Sequence, residues 1–270
     1  MVQKKIKKNV KKRRHSFSLW IIVLVFAAAT AIFSCYKVAM ALMEYQAGEK
    51  AYEKMEAYVT PQEQPPQAEG NKQPKADEDT VGNDGPGIRV DFDSLKKINP
   101  DIIGWLHYPS LDISYPILKG EDNDYYLHHT VEKKKNFSGS IFMETKNSSQ
   151  FTDSHTIIYG HNMKNGSMFG KLKRIRQLEM TEEDYKFWIL TPGKNQLCRV
   201  FSAQEVESGG EAYTLFTGPC QEFRDWADKM SRTSVVDPGE ITLWETDRII
   251  TLSTCTGNDT TRFIVQGICQ

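Results

Sequence analysis

Cys255 ends a run of strand-forming residues, Ile249-Ile250-Thr251-Leu252-Ser253-Thr254, and is followed by the turn-prone Thr256-Gly257-Asn258-Asp259. A thiol at a strand terminus is held by a rigid element yet faces the loops through which a substrate arrives. Arg262 lies seven residues on and opens the next apolar run, Phe263 to Ile268. If the two runs pair through a short loop, residues 255 and 262 share one face. The guanidinium then meets the negative charge that develops when a thiolate attacks a carbonyl. His161 is the matching proton carrier. It follows His155-Thr156-Ile157-Ile158-Tyr159-Gly160 and precedes the polar Asn162-Met163-Lys164-Asn165-Gly166, again a strand end opening into a loop. Its ring can protonate a departing amine and deprotonate an incoming one. Each residue alone also has a plainer reading, the cysteine as a small packed side chain and the arginine as a solvated one.

Other chemistries lack their residues. There is no Cys-x-x-Cys and no His-Glu-x-x-His, so a zinc site is disfavoured. The glycine-rich stretch Gly82-Asn83-Asp84-Gly85-Pro86-Gly87 follows no strand and is no phosphate cradle. His128 and His129 sit in a polar stretch and read as surface residues, whereas His107 and His155 read as structural.

The elements that must hold the three residues are short strands. Runs at 103–107, 113–118, 140–143, 156–159, 187–190, 197–206, 249–254 and 262–268 alternate with turn signals. Eight such strands predict a mostly β domain, closed or sandwiched, with few helices packed outside. Residues 221–231 are the best internal helix, because Phe223, Trp226, Ala227 and Met230 recur on one face. A short helix is expected over 91–98 and a weaker helix or turn over 169–178.

A different kind of segment precedes this domain. Residues 17–36, FSLWIIVLVFAAATAIFSCY, carry no charge and span roughly 30 Å as a helix. Eight Lys/Arg and no acid occupy residues 1–14, and Lys37 alone follows the span closely. That bias predicts a single-pass anchor in the lipid bilayer with a cytoplasmic N-terminus. The basic head also hides an acidic bulk. The chain has 34 Lys+Arg and 35 Asp+Glu, so 26 basic and 35 acidic residues remain from residue 15 onward. Nucleic acid is therefore disfavoured as a partner on charge grounds. The domain plan is 1–16 cytoplasmic basic segment, 17–36 transmembrane helix, 37–60 helical stalk, 61–87 proline-rich flexible tether, and 88–270 extracellular folded domain. Deletion of residues 1–87 is expected to leave that domain folded. Cys198 and Cys220 face an oxidising exterior and can pair, but mostly free thiols are expected.

Thr251-Leu252-Ser253-Thr254-Cys255 followed by Arg262 resembles the signature of sortases, specifically class B. These are membrane-anchored cysteine transpeptidases of Gram-positive bacteria that attach proteins to the cell wall. Tyr159-Gly160-His161-Asn162-Met163 resembles the family's histidine segment. Asn99 to Trp105, Tyr115-Pro116-Ile117, Gly120 to Leu127 and Gly139 to Phe142 are similar to its other motifs, in order. The likeness covers about residues 90–270 and includes the helix before the cysteine strand.

The resemblance implies a closed sortase-like β-barrel of about eight strands with peripheral helices. It implies Cys255 as nucleophile, His161 as acid and base, and Arg262 as oxyanion and substrate clamp, with Asn123, Leu127 and Ser253 in a substrate groove. The implied reaction cleaves a Thr-Asn or Thr-Gly bond in a C-terminal sorting signal through a thioester, and transfers the protein to a peptidoglycan amine. Surface proteins and a cell-wall amine are the implied partners, with no cofactor and no metal. The Cys255-to-Arg262 interval is shorter than in many class B members, which bears on groove shape. A pilin-polymerising sortase with a lysine acceptor is the alternative within the family, and a non-enzymatic wall-binding module the alternative outside it. L,D-transpeptidases are disfavoured, since they place the histidine beside the cysteine rather than 94 residues before it. Papain-like peptidases need a helix start after the cysteine, which Thr256 to Asp259 does not supply.

Overall fold

Short runs of strand-forming residues bounded by turn residues yield eight strands that close on themselves. The computed structural model describes residues 2–62, 85–177, 181–237, 239, 241–258 and 260–270. A small two-stranded sheet comes first, with β1 (Val59–Pro61) antiparallel to β2 (Ile88–Val90). The strands of the main sheet are β3 (Ile102–Tyr108), β4 (Ile113–Leu118), β5 (Ile141–Met143), β6 (His155–Tyr159), β7 (Lys186–Leu190), β8 (Asn195–Glu207), β9 (Arg248–Cys255) and β10 (Thr261–Cys269). They form a closed barrel in the order β10-β8-β7-β3-β4-β5-β6-β9. Two neighbour pairs, β4 with β5 and β6 with β9, are parallel, and the rest are antiparallel. Closure leaves no edge strand of the barrel unpaired. Each expected strand falls within two residues of an observed one.

The chain divides into two units, Met1–Ala47 and Gly48–Gln270. The first is almost entirely helix α1 (Val2–Glu56), which from Trp20 is long and apolar enough to cross a membrane. Trp20, Ile22, Leu24 and Phe26 are exposed on it, as lipid-facing side chains must be. The second unit begins earlier than residue 88. Ala51, Tyr52 and Met55 are buried in it. The Tyr52 hydroxyl donates to the Gly139 carbonyl at 2.6 Å and lies 2.9 Å from the Ser140 hydroxyl. Gly48 opposes helix propensity for a packing reason, since a Cβ there would stand 2.7 Å from Ser138 Oγ. The expected tether lies, over 63–84, outside the described residues.

The internal helices lie where the patterns put them. Helix α2 (Phe92–Ile98) is capped by Asp91, whose side chain accepts from the Ser94 amide. Helix α3 (Gln221–Arg232) buries Phe223, Trp226, Ala227 and Met230, one cluster with Phe201, Ile249 and Ile264 of β8, β9 and β10. The stretch expected as a weak helix over 169–178 is a 3₁₀ helix, Leu172–Arg176. Arg176 stacks over Phe263 at 4.3 Å.

The cysteine expectation needs correction. Cys198 is bonded to Cys269, and Cys220 is free. The cause is register: β8 and β10 are antiparallel neighbours with Cys198 directly opposite Cys269. Cys220 precedes α3 and has no such opposite number.

Candidate active site

Three chain segments end together at one rim of the barrel. Strands β9 and β10 are antiparallel with Cys255 directly opposite Arg262, so the two side chains share a face. Strands β6 and β9 are parallel with Tyr159 opposite Ser253. Two residues further along each chain segment come His161 and Cys255, both at the same cleft. The Gly160 amide, donating to the Ser253 carbonyl at 3.1 Å, continues the pairing past the last ladder position. Gly160 is required there, because a Cβ would meet Ile141 Cδ1 at 2.4 Å and Phe169 at 2.7 Å.

The three residues line one cleft of about 450 Å³, together with Asn123, Leu127 and Ser253. All six positions singled out from the sequence therefore surround the same space. Cys255 is half-buried and free of any disulfide. Its loop is tied down on both sides. Lys173, from the 3₁₀ helix, donates to the Thr256 carbonyl at 2.9 Å, and Thr256 Oγ1 lies 2.5 Å from Thr261 Oγ1. Arg262 Nη1 donates to the Thr261 carbonyl at 2.9 Å and to the Asn258 carbonyl at 3.3 Å, which steadies the guanidinium beside the thiol.

The His161 ring is anchored through one of its two nitrogens. Its Nε2 lies 2.7 Å from the Leu127 carbonyl, which can only accept, so Nε2 carries a hydrogen, and in the neutral ring Nδ1 then holds the lone pair. Burial pushes the imidazole pKa below its ordinary value. The Leu127 carbonyl acts the other way, and nearby His128 adds to the lowering. Leu127 thus contributes its backbone as well as its place in the cleft.

The far wall is a polar network that the sequence does not reveal. Glu144 follows β5, is 7% exposed, and lines the cleft. It accepts from Asn123 Nδ2 at 2.7 Å and from the Tyr159 hydroxyl at 2.9 Å. Tyr159 stacks on Tyr213, whose hydroxyl lies 2.7 Å from Ser253 Oγ. Burial raises the Tyr213 pKa, opposed by the Ser253 hydrogen bond and by the Arg262 charge. Among the described residues, no group of three or more His, Cys, Asp or Glu side chains is placed to hold a metal ion.

The sortase-domain family model matches residues 106–269. A sortase B from Listeria monocytogenes is 35% identical over 183 residues, covering 67% of this chain and 74% of that protein. This chain belongs to the sortase B family. The crystal structure of Bacillus anthracis sortase B in complex with AAEK1 superposes with a TM-score of 0.67 at 26% identity, covering 84% of this chain and 98% of that one. A Staphylococcus aureus sortase B–substrate complex gives 0.61 at 29%, covering 66% and 84%. As a sortase B, the protein is a cysteine transpeptidase of the Gram-positive type that acts on a C-terminal sorting signal.

Glu144 and Tyr213 carry no signal in the sequence. Glu144 stands just past the Gly139-to-Phe142 motif, and Tyr213 ends a short 3₁₀ helix, Glu211–Tyr213, before α3. Tyr159 lies within the histidine motif, where nothing in the residue pattern gives it a role. Only spatial closure of the barrel brings these residues to the cleft.

Proposed function

We propose that Cys255 is the nucleophile that cleaves a Thr-Asn or Thr-Gly bond in the sorting signal, with His161 as acid and base and Arg262 as the oxyanion donor. The observation that carries this reading is the register: a free thiol opposite a guanidinium, with an imidazole continuing the neighbouring parallel strand. His161 Nδ1 takes the thiol proton, and sulfur attacks the threonine carbonyl carbon. The tetrahedral oxyanion receives hydrogen bonds from Arg262, which stays charged throughout. As the C–N bond breaks, His161 returns the proton to the departing amine, leaving a thioester. A peptidoglycan amine then loses a proton to His161, attacks the thioester carbonyl, and releases the Cys255 thiol. The likeness to the S. aureus sortase B–substrate complex supports a substrate site on this fold. The charge bias around the apolar helix supports a cytoplasmic N-terminus, with the second unit acting outside the membrane.

Turnover of fluorogenic sorting-signal peptides, with mass spectrometry of the trapped thioester, tests the assignment. Cys255→Ala is expected to form no thioester and to lose turnover while still folding. Arg262→Lys keeps charge but loses the planar fork, and is expected to lose roughly 2.7–4 kcal/mol of transition-state stabilisation, the range for a strong oxyanion donor. Full turnover by Cys255→Ala, or near-wild-type turnover by folded Arg262→Lys, overturns the corresponding role.

A further inference from the structure

Glu144 is a carboxylate buried in a cleft wall, and the reaction above gives it no task. Its surroundings define its hydrogen-bonding state. Burial pushes the carboxyl pKa up, but hydrogen bonds from Asn123, the Lys146 amide, Tyr159 and Thr145 outweigh that and hold it below the ordinary value. An ionised carboxylate only accepts. The Tyr159 hydroxyl must therefore spend its single hydrogen on Glu144, and its oxygen can then only accept from the cleft. The Asn123 amide is fixed in the same way. Its Nδ2 faces Glu144 at 2.7 Å while its Oδ1 accepts the Thr145 amide at 2.9 Å, so the group cannot be flipped. One Nδ2 hydrogen remains, without an acceptor among the described residues, on a side chain that lines the cleft.

We propose that Glu144 is a positioning residue that sets the hydrogen-bond polarity of the peptide groove. It holds Asn123 as an N–H donor and Tyr159 as an oxygen acceptor, so that the groove selects a peptide offering an amide carbonyl to the first and an N–H donor to the second. This rests on reading the cleft as the peptide site of Cys255. A purely structural role, gluing the end of β5 to β6 and to the turn at Tyr125–Leu127, is the competing account. The two differ in what Asn123 does. If Glu144 works through Asn123, removing Asn123 first makes the Glu144 substitution nearly silent in peptide turnover.

The experiment is a double-mutant cycle of Glu144→Gln and Asn123→Ala, read as kcat/KM for fluorogenic peptides containing Thr-Asn or Thr-Gly. Iodoacetamide alkylation of Cys255 and thermal unfolding are measured on each variant. A carboxamide in place of the Glu144 carboxylate can donate where the native group only accepts, which frees Tyr159 and Asn123 to reorient. The expected result is a fall in kcat/KM of at least ~10-fold for each single variant, the size of a lost charge-assisted hydrogen bond. The double variant is expected to fall little further, with alkylation rates within about 2-fold of wild type. Additive losses, or a Glu144→Gln enzyme with wild-type kcat/KM, overturn the proposal. If Glu144→Gln does not fold, Glu144→Asp takes its place, with a smaller loss that again vanishes in the Asn123→Ala background. Peptides whose carboxamide side chains are replaced by Ala separate a side-chain carboxamide from a backbone amide as the recognised group. Peptide cleavage by Cys255→Ala would instead remove the reading of the site itself, an outcome distinct from failure of the cycle.

Discussion

Two histidines in this fold show how burial and hydrogen bonding separate a base from a strut. His155 is fully buried with both nitrogens occupied: Nδ1 donates to the Thr214 carbonyl at 2.6 Å and Nε2 accepts from Thr251 Oγ1 at 2.7 Å. Burial pushes its pKa down to about 4, with the Thr214 carbonyl opposing. It has no lone pair to offer a substrate, as expected of a structural residue. His161 uses one nitrogen and lines the cleft with the other unengaged by that bond. Because its pKa is lowered, the neutral, basic form persists below the ordinary histidine value near 6.5 and is lost only as pH falls further. The acid limb of kcat/KM in the free enzyme is therefore expected to inflect below about pH 6.5. His161→Ala should lower kcat/KM by at least ~100-fold and abolish that limb, while alkylation still detects the Cys255 thiol. A limb centred above the ordinary histidine value would mean that a neighbouring negative charge, not burial, governs the ring.

At the level of elements, the sequence reveals the strands but not their partners. Runs of strand-forming residues bounded by turn residues mark each strand locally, and so the runs at 249–254 and 262–268 can be placed within a residue or two. The short loop between them also makes the Cys255–Arg262 pair legible, since a tight connection leaves few registers. Neighbours distant in sequence carry no such mark. Cys198 meets Cys269 because β10 returns beside β8 after α3 and β9 intervene, and Glu144 meets Asn123 because β5 runs parallel beside β4. The disulfide bridges residues 71 apart, joining β8 to β10. Loop-closure entropy alone predicts that it contributes about 4 kcal/mol. Cys269→Ser is accordingly expected to lower Tm by roughly 10 °C, at about 2–4 °C per kcal/mol for a domain of this size. Peptide turnover at room temperature should be retained, because neither cysteine lines the cleft. Mass spectrometry of the non-reduced protein after alkylation should find Cys35, Cys220 and Cys255 labelled, and Cys198 and Cys269 protected. Labelling of all five, or an unchanged Tm, would remove this bond from the stability of the barrel.

For the whole molecule the question is where the anchor ends and the enzyme begins. Composition alone puts that boundary at residue 88, because proline and polar residues after Pro61 cannot build a core. What composition hides is that Ala51, Tyr52 and Met55 recur at i, i+1 and i+4, too few to mark an apolar face without the surface they cover. Part of that surface is the loop segment Asn136 to Ser140, which Gly48 approaches closely and to which the Tyr52 hydroxyl bonds, and part is Tyr115, on which the Tyr52 ring packs edge-on. The same segment accounts for the glycine in an otherwise helix-favouring stretch. Two truncated chains separate the boundaries. Residues 48–270 keep the buried helix end and the β1–β2 pair and should be soluble, cooperative and active on peptides. Residues 88–270 lose the Tyr52 and Met55 side chains and leave β2 unpaired. Removing buried side chains of this size costs about 2–5 kcal/mol each, so the shorter chain should melt at least ~10 °C lower. Its activity at low temperature should fall less than its stability, since the helix end lines no part of the cleft. Equal melting of the two chains, within about 2 °C, would return the boundary to residue 88 and reduce Tyr52 and Met55 to a covering that the barrel does not need. A drop confined to the shorter chain, and reproduced in part by Tyr52→Ala in residues 48–270, would make the end of the membrane helix part of the enzyme's own core.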